Sequence, residues 1–442
     1  MTSSPNDVRS QVSPVTTRRD FLRRSTSAAV AAGSLVSSMS VARNLHAAGN
    51  DTIRIGLVGC GGRGSGAAVQ ALTADPNTQL VAMADAFGDR LEASVQRLMR
   101  NKAVGGRVKV DPEHRFTGFD GYKHVLGSDV DVVLLTTPPH FRPLQLRACI
   151  EANKHVFAEK PVAVDAPGIR SVLETTELAR KKNLCIVSGL NTRYSFIAQE
   201  AVRRVHEGAV GDIVALHSAR YGGGVWVRER QPGMTDMQYQ MLNWYYFTWL
   251  SGDFNVEQFV HQMDFCAWLM GDRYPIRCYG TGGRQARTGP EYGHIYDHFA
   301  TTFEYDNGVR LFSTTRHQRG CSNESGTYVF GAEGTASLAH RGMRIEGKQP
   351  WKAPRTQEKD SHQLEHDAFF AALRAGRTIN NGVYMAKSSM MAIMARMSSY
   401  TGQSLTWDEA FNSKQELKPS SYTWDGTPPP AKVAIPGVTK FV

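Results

Sequence analysis

Ile53-Arg54-Ile55-Gly56-Leu57-Val58-Gly59-Cys60-Gly61-Gly62-Arg63-Gly64 is the stretch on which the reading of this 442-residue chain turns. Its first six residues read as a short buried strand, because aliphatic side chains dominate them. Gly59 to Gly64 fit the spacing G-x-G-x-x-G. Ser65 to Ala74 then reads as a helix, and Gln79 to Ala84 as a second strand ending at Asp85. A strand–helix–strand unit takes about 34 residues here, as it should. Gly59 permits the tight turn, Gly61 leaves a pyrophosphate room against the backbone, and Gly64 lets the helix pack close to the sheet. The helix start, with Gly62 and Arg63, offers unpaired N–H groups and a partial positive charge to phosphates. Asp85 lies about 20 residues further on, where a carboxylate accepts hydrogen bonds from a ribose diol. It would repel a 2′-phosphate, so NAD is expected rather than NADP.

The alternation continues. Arg90 to Asn101 reads as a helix, Val130 to Thr136 as a β-branched strand, Leu144 to Ala152 as a helix and His155 to Ala158 as a strand. Ile169 to Lys182 is a further helix, and Leu184 to Ser188 a further strand. Strands alternating with helices predict a doubly wound parallel sheet, whose ligands lie beyond the carboxyl ends of the strands. Gly59, Asp85, Thr137, Pro138, His140, Glu159 and Lys160 all fall at such ends.

From about Asn191 the texture changes. Ile213 to Tyr221 reads as a strand, and an aromatic-rich insertion runs from Trp226 to Trp249. Val256 to Met270 reads as one helix stopped by Gly271. Ile276–Gly282, Tyr296–Tyr305, Val309–His317, Thr327–Phe330 and Ala336–Ala339 look like antiparallel strands, with Asp306-Asn307-Gly308 a hairpin turn. Ser361 to Ala375 and Tyr384 to Tyr400 read as helices, and the tail from Lys418 as an extended surface wrap. The expected fold is α/β: an N-terminal doubly wound sheet, then an α/β domain with a large open, mostly antiparallel sheet. The expected domains are 49–190 for the nucleotide, 191–417 for substrate and oligomerisation, and 418–442 as the tail.

Net charge is +10, but six Arg and two Asp fall in the first 50 residues, so four of the surplus charges belong there. No basic run interleaved with aromatics follows, so no nucleic-acid partner is expected. The mild excess suits phosphates and acidic substrates. The six cysteines form no C-x-x-C or zinc spacing, and buried free thiols are expected. Thr17-Arg18-Arg19-Asp20-Phe21-Leu22-Arg23 resembles the twin-arginine export signal, and the weakly apolar Ser27–Val41 that follows is too polar and short to span a membrane. Residues 1–48 therefore stand outside the fold. The resemblance implies export of the folded protein by the twin-arginine machinery, a periplasmic or otherwise exported location, and no stable membrane span after processing.

The glycine-rich unit, Glu159-Lys160-Pro161 about 100 residues later, and Glu257…His261…Asp264 together resemble the Gfo/Idh/MocA oxidoreductase family. The resemblance implies a Rossmann domain, NAD(P)-dependent chemistry on sugars or cyclitols, and a homodimer or homotetramer. It also implies that Lys160 sits beside nicotinamide and substrate, with Pro161 helping to fix it. Glu257, His261 and Asp264, spaced i, i+4, i+7, are expected on one helix face. His261 is the expected general base, since an imidazole takes a hydroxyl proton near neutral pH. Glu257, where many relatives have Asp, would orient it; Asp264 would bind substrate or support His261. Two carboxylates and one imidazole suit a cation only weakly, and no metal is expected. Arg193, Tyr194, Trp226 and Trp244 are candidates to line a sugar site, and His140 to lie near the nicotinamide or the substrate. Three functions compete: net oxidation of a sugar or polyol, redox-neutral NAD-dependent glycoside cleavage, which intact Glu-Lys-Pro disfavours, and non-catalytic sugar binding, which intact Lys160 and His261 disfavour.

Overall fold

The computed structural model describes residues 51–442 except 340–341 and 356–357, so the leader and its twin-arginine match lie outside the described residues. Six strands form a parallel sheet: β1 (Ile53–Val58), β2 (Thr78–Asp85), β3 (Arg115–Thr117), β4 (Val132–Leu135), β5 (His155–Ala158) and β6 (Ile186–Ser188). Their order is β3-β2-β1-β4-β5-β6. Every side chain of β4 is buried, which explains its unbroken apolar run: helices cover both faces of such a sheet. The order reverses between β1 and β4, and a crevice opens beyond their carboxyl ends. There Thr136 donates from Oγ1 to the carbonyls of Val58 at 3.1 Å and Gly59 at 2.6 Å, tying the two strand ends together.

A second sheet holds β7 (Ile213–Gly222), β8 (Arg277–Gly283), β9 (His298–Glu304), β10 (Arg310–His317), β11 (Glu324–Gly331), β12 (Gly334–Ala339), β13 (Gly342–Gly347), β14 (Trp351–Lys352) and β15 (Leu405–Thr406). The order is β14-β13-β12-β11-β7-β10-β9-β8-β15. Its pairs are antiparallel except β7 with β10. Burial alternates along β9 and β10, as period-two strands with one covered face require. The covered face packs on helices Val260–Leu269 and Gly382–Thr401. The other face leaves Tyr279, Phe312 and Phe330 exposed. The expected α/β architecture is therefore the observed one, and among the described residues no helix is long and apolar enough to cross a membrane. The six cysteines are free thiols, buried except Cys321.

Three local expectations need correction. The single helix expected over Val256–Met270 is two, Phe254–Glu257 and Val260–Leu269. Helix Phe196–His206 and strands β13 and β14 lay outside the sequence reading. The aromatic insertion forms short helices, Asp236–Leu242 and Thr248–Ser251, around buried Tyr245, Tyr246 and Trp249. The tail crosses the molecule without regular structure. Leu417 N–H donates to Asp165 Oδ2 at 2.8 Å, and the Trp424 ring meets Phe119 at 4.7 Å and Phe87 at 5.0 Å.

Three buried imidazoles make the fold acid-sensitive. Burial lowers His294 to about 4 and His317 to about 3, and holds His366 well below its ordinary value. The unfolded chain binds these protons below about pH 6.5 and the folded chain does not, so stability falls as pH drops from there towards 4, by about 1.4 kcal/mol per pH unit per group. Thermal unfolding from pH 7.5 down to 5 should show Tm falling. His317→Phe, whose ring can keep the stack on Phe254 at 4.3 Å, should flatten that slope.

Candidate active site

Two cavities meet at the junction of the two sheets. The first, about 420 Å³, is bounded by the glycine loop, Asp85 and Pro138 on one side and by Trp226, Arg228 and Trp244 on the other. The second, about 510 Å³, is bounded by Glu159, Lys160, Glu257 and His261. Arg63, Thr136, Thr137 and Trp244 line both, so a ligand extended along the first reaches the second.

The first cavity fits a dinucleotide. Gly59 has φ +97°, and a Cβ there would fall 2.7 Å from the backbone of Thr136 and Thr137. A Cβ on Gly64 would fall 1.9 Å from the Gly59 carbonyl oxygen, so this glycine is the one that lets helix Gly62–Ala74 close on the strand. At Gly61 and Gly62 an added Cβ meets nothing within 4 Å: here the backbone faces open space, where phosphate oxygens can meet the helix N-terminus. Asp85 Oδ2 accepts from Cys60 N–H at 2.7 Å and Oδ1 from Phe87 N–H at 2.9 Å. The carboxylate thus holds the loop and keeps lone pairs for a diol. Burial raises it above the usual carboxylate range.

In the second cavity Lys160 Nζ donates to the Glu257 carbonyl at 2.8 Å and to Glu257 Oε1 at 2.9 Å. Arg63 Nε meets Glu159 Oε1 at 2.8 Å, and Glu159 Oε2 accepts from Lys160 N–H at 3.1 Å. Glu257 therefore orients Lys160. The helical ladder is interrupted between Glu257 and Val260, where Phe259 N–H donates to the Phe254 carbonyl at 3.3 Å, five residues back. His261 lies one turn on and lines the same cavity.

Other candidates are placed elsewhere. Asp264 is 1% exposed and lines neither cavity. Its carboxylate accepts from Arg193 Nε and Nη2 at 2.9–3.1 Å and from Ser388 Oγ at 2.9 Å, contacts that hold elements together away from both cavities. Arg193 also meets Asp272 at 2.6 Å and stacks over Tyr384 at 4.0 Å. Tyr194 donates to Asn381 Oδ1 at 2.7 Å. Arg193 and Tyr194 thus hold helices together and line no sugar site. His140 lies under the tail, 2.8 Å from Tyr422 OH and edge-on to Trp249, where burial lowers it to about 3; it reaches neither nicotinamide nor substrate cavity. Trp226 lines the dinucleotide cavity alone, whereas Trp244 reaches the second cavity. Thr137 Oγ1 donates to Gln145 Oε1 at 2.7 Å. Sequence reasoning missed Arg142 and Arg220 in the second cavity. The only signal for Arg142 was its place just past the end of β4.

This arrangement defines a dinucleotide-dependent oxidoreductase. The family model described as "Oxidoreductase family, NAD-binding Rossmann fold" matches residues 53–189, and "GFO/IDH/MocA C-terminal domain" matches residues 198–337. The chain belongs to the Gfo/Idh/MocA oxidoreductase family, and its cofactor is NAD. It is 29% identical over 223 residues to inositol 2-dehydrogenase 4 of Saccharopolyspora erythraea, a match covering 50% of this chain and 55% of that one. It is 25% identical over 204 residues to a glycosyl hydrolase family 109 protein of Streptomyces niveus, covering 46% of this chain and 38% of the relative. The matched regions thus span about half or less of these relatives' length. Aldose-aldose oxidoreductase from Caulobacter crescentus shares the fold, with a TM-score of 0.62 at 16% identity over 80% of this chain and 99% of that one.

The Arg193–Asp264 pair makes a test of its structural role. Asp264→Ala leaves a buried guanidinium short of its partner, and equilibrium unfolding should show a loss of about 3–5 kcal/mol. Turnover per folded molecule should stay within about two-fold of the parent, since residues remote from the cavity carry no transition-state contact.

Proposed function

We propose that this chain is an NAD-dependent dehydrogenase of a hydroxyl-bearing carbon in a sugar or cyclitol. The observation that carries the reading is Lys160, locked by Glu257, on the same cavity wall as His261, next to a cradle shaped for a dinucleotide. Bound nicotinamide supplies the hydride acceptor, or the donor in the reverse direction. His261 takes the hydroxyl proton as the C–H bond gives up its electron pair, so that a carbinol becomes a carbonyl. Lys160 donates a hydrogen bond to the same oxygen and stabilises the negative charge that develops there. Trp244 offers an aromatic wall to the sugar's C–H surface and shields the reacting atoms from water. The test is anaerobic incubation of the purified protein with a sugar and cyclitol panel, following reduced nicotinamide absorbance. His261→Ala and Lys160→Met should each lower kcat by about 10²–10⁴-fold. No response to any sugar or cyclitol, with or without added NAD, would defeat the reading.

The glycosyl hydrolase family 109 relative supports a second reading, cleavage of a glycoside by transient oxidation, elimination, hydration and re-reduction. Release of an aryl leaving group with no net reduced cofactor would favour it; intact Glu159-Lys160-Pro161 speaks for net oxidation. Non-catalytic sugar binding would leave Lys160 and His261 without a catalytic use.

We also propose export through the twin-arginine route, on the strength of Thr17 to Arg23, which suits a protein that must travel folded around its nucleotide. The proposed homodimer or homotetramer rests on the outer face of the second sheet. Tyr279 and Phe312 share one cross-strand row through Thr302, and Phe330 lies exposed on β11, beyond β7. Phe312→Glu should shift sedimentation towards the monomer, because a charge there would be desolvated by any partner sheet. An unchanged profile would place the interface elsewhere.

A further inference from the structure

The lining of the second cavity carries four cationic side chains, Arg63, Arg142, Lys160 and Arg220, against two carboxylates, Glu159 and Glu257. Each carboxylate already meets one of those cations, and Glu257 Oε2 has no hydrogen-bond partner among the described residues. Arg63 holds Glu159 at 2.8 Å and Lys160 holds Glu257 at 2.9 Å. Arg142 and Arg220 have no carboxylate partner among the described residues. Arg142 is 3% exposed; its Nη1 donates to the Pro161 carbonyl at 3.0 Å, and its Nε has no hydrogen-bond partner among the described residues. Arg220 Nη2 donates to Gln258 Oε1 at 2.8 Å.

The anchors place both guanidiniums. Pro161 follows Lys160 in the chain and Gln258 follows Glu257, so each arginine is pinned beside one half of the ion pair that faces the reacting oxygen. Burial lowers Arg142 to about 10, against the opposing pull of Glu159 and Glu257, which still leaves it charged at neutral pH. A buried guanidinium with idle donors is costly unless an anion completes it. A neutral polyol does not complete it, because hydroxyl groups bring no countercharge. An oxyanion meets both demands: it accepts from the planar guanidinium fork and restores the charge balance of the wall.

We propose that the substrate is an anionic sugar, whose carboxylate or phosphate oxygens are held by Arg142 and Arg220 while a hydroxyl-bearing carbon faces Lys160 and His261. This rests on the dehydrogenase reading for the second half of that statement only; the oxyanion grip is a binding property and is tested as one.

Titration calorimetry on the purified full chain with its nucleotide should compare D-glucuronate, D-gluconate and D-glucose 6-phosphate with D-glucose and myo-inositol. At least one oxyanion probe should bind about ten-fold or more tightly than the neutral sugars, and its affinity should fall with added salt. The carboxylate and phosphate arms separate the two oxyanions. Arg220→Gln and Arg142→Lys should each erase most of the preference; the first keeps the test open if the buried Arg142 position tolerates no change. Neutral sugars binding as tightly as every oxyanion probe, or no binding by any of those probes, overturns the proposal. Hydride transfer to the cofactor, followed in parallel, separates the two failures. Turnover of neutral sugars without anion preference sinks only the oxyanion grip. Tight oxyanion binding without hydride exchange at any carbon sinks only the dehydrogenase reading.

Discussion

The contact between Lys160 and Glu257 is the constraint from which the rest of the site follows. Its partners are 97 positions apart, one at the carboxyl end of the parallel sheet and one in a short helix of the second half. The ammonium uses both acceptors that Glu257 offers, its carboxylate at 2.9 Å and its main-chain carbonyl at 2.8 Å. Taking two charges partly out of water is expensive, and a second hydrogen bond to a carbonyl helps to offset that cost. Just past Glu257 the ladder slips, Phe259 N–H reaching back five residues to the Phe254 carbonyl, and a new helix starts at Val260. His261 thereby begins its own helix on the cavity wall. One ion pair joins the halves and holds the lysine on the cavity that His261 also lines.

Around that pair the two cavities share a narrow wall. Arg63, at the start of the glycine-loop helix, reaches Glu159, so the loop that cradles phosphates is tied to the strand end that presents Lys160. Thr136 joins β1 to β4 at the same edge. The opposite wall comes from the aromatic insertion, whose Trp226 and Trp244 rings meet edge to face at 6.0 Å. The tail backs the dinucleotide side through Trp424, against Phe87 and Phe119, and Thr235 of the insertion donates to the Trp424 carbonyl at 2.6 Å. Segments far apart in sequence thus line the first cavity.

The glycine positions were legible because their demands are local. Gly59 needs a positive φ and Gly64 a close approach, and each is set within a few residues of chain. Asp85 was legible through its distance from the loop. Asp264 was misread because i, i+4, i+7 presumes an unbroken helix, and this one is interrupted between Glu257 and Val260. Arg193 and Tyr194 look like binding residues by type, yet their partners Asp264, Asp272 and Asn381 come from later elements. His140 stands at a strand end, where ligands gather, but Tyr422, 282 residues away, covers it.

By itself the sequence determined the alternation of strand and helix, the glycine cradle and the lysine at a strand's end, since steric limits on φ, side-chain period and helix polarity act between neighbours. Tertiary structure alone decided which charges cancel. Lys160 is matched to Glu257 and Arg193 to Asp264, while Arg142 and Arg220 on a shared wall form no ion pair among the described residues. Coulomb energy depends on distance through space, and no spacing along a chain reports that distance until the fold has closed.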